Sequence, residues 1–292
     1  MKLLITGAQG QVGQEIVALA AQRNLHPIPL GRNDLDITDP QAVRAALEAH
    51  RPDLAINAAA YTAVDLAESQ PDAAFAVNRD GARHLASACA AMRLPLIHLS
   101  TDYIFDGRQS TPYRETDPPA PLGLYGVSKW EGEEAIRALL PHHLIIRVSW
   151  VFGLHGKNFV KTILRLARER ESLAVVDDQT GGPTAADDIA RMLLEVAGNA
   201  LQPGFSDWGT YHYQGAPAVT WHAFARFIVA TAGERITLPV REIRPIPTEE
   251  FPTPAQRPAN SRLDCQRIHD RLGIAMPDWR LAARTLIPRL LD

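Results

Sequence analysis

Through the first half of the chain, short continuous apolar runs alternate with stretches in which apolar residues return every three or four positions. Residues 3–6, 26–30, 54–57, 96–100 and 144–147 read as strands, and residues 11–23, 40–48, 72–92 and 125–139 as helices. Strands apolar on both faces, each followed by a helix, predict an α/β fold built on a doubly wound parallel sheet. Right-handed crossovers then bring every strand's C-terminal end to one edge, where ligands bind. Beyond Trp150 the texture changes. Residues 239–258 hold six prolines, so this segment is neither a core helix nor a central strand and is expected to cover a cleft in extended form. The organisation expected is a nucleotide-binding unit over residues 1–149, joined by part of 173–200. A smaller α/β unit over most of 150–292 interleaves with it and meets the substrate.

Composition narrows the function classes. The 292 residues can bury a substantial core, and a formal charge of −3 without any basic stripe speaks against nucleic acid as a partner. No window approaches the roughly 20 apolar residues of a membrane span. The first apolar run, Leu3-Leu4-Ile5, is too short for a signal-peptide core and leads straight into glycines, so a cytoplasmic location is expected. Cys89 and Cys265 have no CxxC partner, which argues against a disulfide framework or a zinc site. His142-His143, just after Pro141, reads as a loop.

Candidate chemistry begins at Thr6-Gly7-Ala8-Gln9-Gly10-Gln11-Val12-Gly13, after the first strand and at the start of the first helix. Gly7, Gly10 and Gly13 permit a tight turn. With Gln11 and Val12 they bring backbone N–H groups and a helix N-terminus to a pyrophosphate. The spacing is GxxGxxG rather than GxGxxG, so strand-before and helix-after carries much of the signal. Arg32, ending the second strand, can accept a 2′-phosphate and favours NADPH, with NADH as the alternative. Asp36 and Ile37 suit an adenine amino group and ring, or equally a turn ahead of an N-cap at Asp39. Ala58, Ala59 and Ala60 let a flat cofactor approach the third strand, or serve tight helix–sheet packing.

Tyr125 and Lys129 stand one helical turn apart in Tyr125-Gly126-Val127-Ser128-Lys129, in a chain with four lysines against twenty-six arginines. An ammonium on the same helix face as a phenol is expected to lower the phenol pKa from about 10 toward the range a proton-transfer group needs. Ser100-Thr101-Asp102-Tyr103 ends a strand on the same edge, where the Thr101 hydroxyl can bond a substrate oxygen, or simply cap the strand.

Together with Arg147-Val148-Ser149-Trp150-Val151-Phe152, Asn57 through Asp65 and Arg257-Pro258-Ala259-Asn260-Ser261-Arg262-Leu263, these segments resemble the extended short-chain dehydrogenase/reductase family along essentially the whole chain. The last two segments are the more specific. The resemblance implies a Rossmann sheet and NADPH-dependent reduction of the C4 carbonyl of a dTDP-sugar, dTDP-4-dehydro-β-L-rhamnose. Tyr125 would be the acid, Lys129 would hold the nicotinamide ribose, and Thr101 would orient the carbonyl. Asp102 would face the substrate; the Trp150 indole could pack on the sugar or cofactor, or sit in the core; Asn158 and Arg257 are candidates for the nucleotide half, Arg257 at the diphosphate or else a surface arginine between prolines. A magnesium ion on Glu15 and Asp187 could join two copies, as in some members, or both could equally be ordinary first-turn helix acids, so the chain is expected to be a monomer or a homodimer. Dehydratases of the family carry Glu where this chain has Tyr103, which favours reduction over elimination. Another nucleotide-sugar reductase or epimerase, and a non-catalytic NADP-binding regulatory subunit, remain as alternatives.

Overall fold

The computed structural model describes residues 1–291. The nucleotide-binding half runs β1 (Lys2–Thr6), α1 (Gln11–Gln22), β2 (His26–Leu30), α2 (Pro40–His50), β3 (Leu54–Asn57), α3 (Val64–Ala67), α4 (Pro71–Phe75), α5 (Ala82–Met92), β4 (Leu96–Thr101), α6 (Leu124–Leu139) and β5 (His143–Val148). There follow β6 (Val151–Phe152), α7 (Phe159–Glu169), β7 (Ser172–Val176), β8 (Thr180–Gly181), β9 (Thr184–Ala185), α8 (Ala186–Ala200) and β10 (Gly209–Tyr213). The chain ends with β11 (Val219–Thr220), α9 (Trp221–Gly233), β12 (Glu242–Ile246), α10 (Gln266–Leu272) and α11 (Trp279–Leu291).

The main sheet is parallel throughout, in the order β10-β5-β4-β3-β1-β2. Its order reverses between β1 and β3, and the crevice beyond those strand ends is where such sheets take ligands. Strands β1, β3 and β5 are buried almost end to end, as their central apolar runs foretell, although β5 also buries His143 and Arg147. Helices α1 and α8 cover one face, packing Ile16 and Ala20 with Ile189 and Leu193, while α2 and α5 cover the other through Val43, Leu47 and Leu85. A third core joins α7, α9 and α11 around Phe152, Phe224 and Trp279.

Three elements depart from the sequence reading. The helix expected over 72–92 is interrupted by a wide π turn, Ala76–Gly81. There Asn78 bonds the backbone of Tyr61 at both ends and reaches Ser128 Oγ at 3.0 Å, ties that a regular helix would not present together. His143, expected in a loop, opens β5 and is buried. Strand β10 escaped notice because its polar residues hide the pattern: Tyr211 and Tyr213 are buried in one core, and His212 is buried beside Arg147. The proline-rich segment contains β12, but only as one strand of a two-stranded pair with β7. Pro245, which has no N–H to donate, is tolerated at such an edge.

Helix α6 is fastened by charge. Glu133, with no exposed surface, receives Arg147 through Nε at 3.0 Å and Nη2 at 2.7 Å, and Arg137 at 2.6 Å. Arg147 sits on β5, so this pair fixes the helix to the sheet directly behind the strand ends. Two glycines let it come close: a Cβ on Gly126 would stand 2.2 Å from Tyr103 O, and one on Gly132 2.1 Å from Asn78 O. Replacing Glu133 with Gln strands the Arg147 guanidinium in the interior. The expected cost is about 3–5 kcal/mol in urea unfolding; a loss under about 1 kcal/mol would show that the pair is not a fastening.

Candidate active site

The glycine turn is built as its sequence suggests. Gly7 has a φ of +66°, and a Cβ there would stand 2.5 Å from Ala59 N. A Cβ on Gly13 would meet Gly7 O at 2.2 Å, so α1 presses directly on the turn. Its N-cap, Gly10, supplies no side-chain acceptor and the first turn holds no acid, leaving the positive end of the helix to a ligand. Ala58, Ala59 and Ala60 lie half-buried across the crevice from this turn. Arg32 is exposed at the end of β2.

Asp36 and Ile37 fit the turn alternative better than the adenine one. Asp36 Oδ1 accepts from both Thr38 N and Thr38 Oγ1, which hold the carboxyl below its ordinary range. Ile37 is buried, and Gly81 gives it room: a Cβ there would stand 2.6 Å from Ile37 Cδ1. Asp39 caps α2 by accepting from Gln41 N and Ala42 N.

Tyr125, Lys129 and Thr101 converge beside the crevice, but not in the arrangement expected. Lys129 is 1% exposed; its Nζ donates to Leu99 O at 2.7 Å and lies 3.3 Å from His98 Nε2. Burial pulls the Lys129 ammonium down to about 8, with Glu133 opposing. Burial pushes the Tyr125 phenol up to about 12, with Thr101 opposing and Asp102 adding to the rise. The phenol pKa thus moves opposite to the direction expected from a neighbouring ammonium. Desolvation is the largest cause, and Lys129, whose Nζ is held on the β4 backbone, does not offset it.

Thr101 Oγ1 donates to Asp102 Oδ1 at 3.0 Å and accepts from Tyr103 N at 3.2 Å. Its one hydrogen is therefore engaged, and serving a substrate oxygen requires the hydroxyl to rotate. Burial pushes the Asp102 carboxyl up to about 6. Its Oδ2 is buried without a full hydrogen bond, although the Ser261 and Ser149 hydroxyls come close enough to oppose the shift. Tyr103 stands edge-on to Tyr125, ring centroids 5.6 Å apart.

Of the other proposed substrate contacts, Trp150 follows the end of β5 and adopts a φ of +45°, strained for a bulky residue. Its indole stacks on Trp221 at 3.4 Å and 5°. Asn158 caps α7 by accepting from Lys161 N, and its amide donates to Gln11 Oε1 and Gly153 O. Both of its amide hydrogens are engaged, so its role is to tie α7 to the glycine turn. Arg257 makes a bidentate pair with Asp65, at 3.1 and 2.9 Å. Glu15 lies 3.7 Å from His155 and Asp187 3.3 Å from Arg191. Among the described residues no group of three His, Cys, Asp or Glu side chains could hold a metal ion.

Sequence reasoning missed the support beneath Lys129. Asn57 Oδ1 accepts from Thr6 Oγ1 and Ala59 N, so its amide must donate to His98 Nδ1, 2.9 Å away. That bond assigns the neutral imidazole proton to Nε2, facing Lys129. A histidine inside the apolar run Leu96-Ile97-His98-Leu99 was the available signal. A cleft of about 500 Å³ lined by Glu115, Trp130, Arg137 and Arg267 lies apart from Tyr125 and Thr101.

A Rossmann sheet with a glycine turn, a strand-end threonine and a Tyr-x-x-x-Lys helix at one edge defines a short-chain dehydrogenase/reductase. Residues 1–291 match the family model described as the RmlD substrate binding domain. The chain belongs to that family, within the extended short-chain dehydrogenases/reductases. It is 43% identical over 292 residues to dTDP-4-dehydrorhamnose reductase of Sinorhizobium fredii, covering 100% of this chain and 98% of the relative. It superposes on a dTDP-4-dehydrorhamnose reductase from Clostridium acetobutylicum with a TM-score of 0.93, at 37% identity and full coverage of both chains. The enzyme of that name from Bacillus anthracis, solved in complex with NADP, gives 0.91 at 34% identity over 99% of each chain.

Asp102 gives this site a pH signature. A carboxyl whose folded pKa is raised favours folding at low pH, and that contribution is lost as pH rises from about 4 through about 6. Relative to Asp102→Asn, the native protein is expected to lose on the order of 2–3 kcal/mol between pH 4 and pH 7. Chemical denaturation at both pH values measures it; parallel stabilities of the two proteins would mean that Asp102 does not titrate there.

Proposed function

We propose that this protein reduces the C4 keto group of dTDP-4-dehydro-β-L-rhamnose to dTDP-β-L-rhamnose, the last step of dTDP-L-rhamnose biosynthesis, with NADPH as donor. The observation that carries the reading is the meeting of the glycine turn, Thr101, Tyr125 and Lys129 at one sheet edge. Full-length relatives that bear the reductase name, and the NADP complex of one of them, support it. The residues present fit the cofactor: an uncapped helix N-terminus for the pyrophosphate and exposed Arg32 for a 2′-phosphate. Residues 1–149 with α8 form its berth, and most of 150–292 meets the sugar nucleotide.

NADPH, when bound, supplies the hydride. Tyr125, held protonated by burial, gives its proton to the oxygen that becomes the alkoxide. The Thr101 hydroxyl, rotating from Asp102, adds a second hydrogen bond where negative charge develops. Lys129, with only one of its three Nζ donors given to Leu99 O, would hold the nicotinamide ribose, and its charge would favour the phenolate left when the proton moves. Tyr103 occupies the position of the dehydratase carboxylate, so no base for eliminating water is present there. Glu15 and Asp187 make a poor magnesium site, each facing a basic partner, and no step depends on a metal.

Tyr125→Phe removes the acid and leaves the berth intact. Turnover followed by NADPH absorbance with dTDP-4-dehydrorhamnose is expected to fall about 10²–10⁴-fold, with NADPH binding nearly unchanged. Unchanged turnover would remove Tyr125 from the mechanism. Failure of the native protein to oxidise NADPH with this sugar would remove the substrate assignment.

A further inference from the structure

The two sequence segments most specific to this branch of the family, one ending at Asp65 and one beginning at Arg257, meet in the folded protein. Asp65 Oδ1 accepts from Ala255 N at 3.2 Å and from Arg257 Nη1 at 3.1 Å, and Oδ2 accepts from Arg257 Nη2 at 2.9 Å. Arg257 Nη1 also donates to Thr253 Oγ1 and to Ala255 O, so the guanidinium staples its own turn as well as Asp65. The pair holds the Asp65 carboxyl below its ordinary range. On its far side Arg257 adjoins Tyr103, whose hydroxyl contributes to its environment. Tyr103 in turn stands edge-on to Tyr125.

The same stretch is anchored twice more. Asn260 Nδ2 donates to Gln109 O and Thr111 O, both at 2.8 Å, and Thr180 N donates to Ala259 O at 2.8 Å. Ser261, 3% exposed, lies against Asp102. Residues 253–263 therefore form a strap that touches three neighbours in the site: Tyr103 through Arg257, Asp102 through Ser261, and the loop after β3 through Asp65. The inner end is buried. The outer end depends on Asp65, whose side chain is 40% exposed, as against 24% for Arg257.

We propose that Asp65 is a positioning residue: its bidentate pair with Arg257 latches the 253–263 strap across the sheet edge and holds Tyr103 against Tyr125. This rests on the reading of Tyr125 as the catalytic acid. It differs from a direct role for Arg257 at the substrate diphosphate, because most of the guanidinium donors are already engaged by Asp65 and by the strap itself. The latch orders the site before the sugar nucleotide arrives, so its loss shows in substrate capture more than in cofactor binding.

Asp65→Asn, Arg257→Lys and the exchanged pair Asp65→Arg with Arg257→Asp test this. Each single variant is expected to lower kcat/KM for dTDP-4-dehydrorhamnose about tenfold, chiefly through KM, with NADPH affinity unchanged. The exchanged pair is expected to recover at least half of that loss on a logarithmic scale. If Asp65→Asn instead lowers KM while Arg257→Lys raises it, Asp65 competes with the substrate for Arg257 and the latch is overturned. If Asp65→Asn leaves kcat/KM unchanged, or the exchanged pair recovers nothing, the latch is likewise overturned. None of these outcomes touches the acid assignment, which stands or falls on Tyr125→Phe.

Discussion

An ammonium cannot be taken almost entirely out of water unless the fold provides for it, and Lys129 is 1% exposed. Much of the site can be understood as that provision. Leu99 O accepts from Nζ, whereas His98, in a tautomer imposed from below by Asn57, which Thr6 and Ala59 orient in turn, turns an N–H toward Nζ and offers it no acceptor. A polar line thus crosses β1, β3 and β4 under the crevice. Thr6 and Asn57 end their strands, while His98 lies inside β4, level with Asn57 in the sheet, and is buried with them.

The provision has consequences for Tyr125. A lysine held on a backbone carbonyl is not free to follow the phenol, and the phenol answers to its own desolvation. The helix that carries both is positioned by closer constraints than the pair itself. Glu133 ties it to Arg147, and the two close glycine approaches set it against the turn after β4 and against the π turn. The distance between acid and strand end is therefore a property of helix packing, which a four-residue spacing in sequence does not express.

This division explains what could be read from the sequence. The β1–β5 strands, their helices and the glycine turn were legible because each rests on local periodicity or on a backbone requirement that only glycine meets. Tyr125, Lys129 and Thr101 were legible because three weak signals fell on one predicted edge. Strand β10 was not, since its pattern mixes buried tyrosines with a histidine whose partner, Arg147, lies sixty-five residues away. What the sequence does not show is the partners: Asn158 serves in a cap and a bridge to Gln11, and Ile37 packs in the core against Gly81. Arg257 shows the same limit, because its bond to Asp65 spans 192 positions.

The direction of the Tyr125 shift sets what a proton transfer from the phenol must overcome. A phenol kept protonated by burial is an acid at rest, ready when a carbonyl oxygen gains an electron pair. The opposite reaction, oxidation of an alcohol, begins from a base and would favour a phenolate in the resting site. Lys129 is drawn toward neutrality by the same burial, so it stabilises an anion less strongly before the site fills. Charge on the lysine becomes most useful when negative charge appears on the phenol, that is, after the proton has left. Both Tyr125 and Tyr103 are thus neutral at rest, and burial makes the Tyr125 phenol the weaker proton donor until positive charge on Lys129 meets the phenolate.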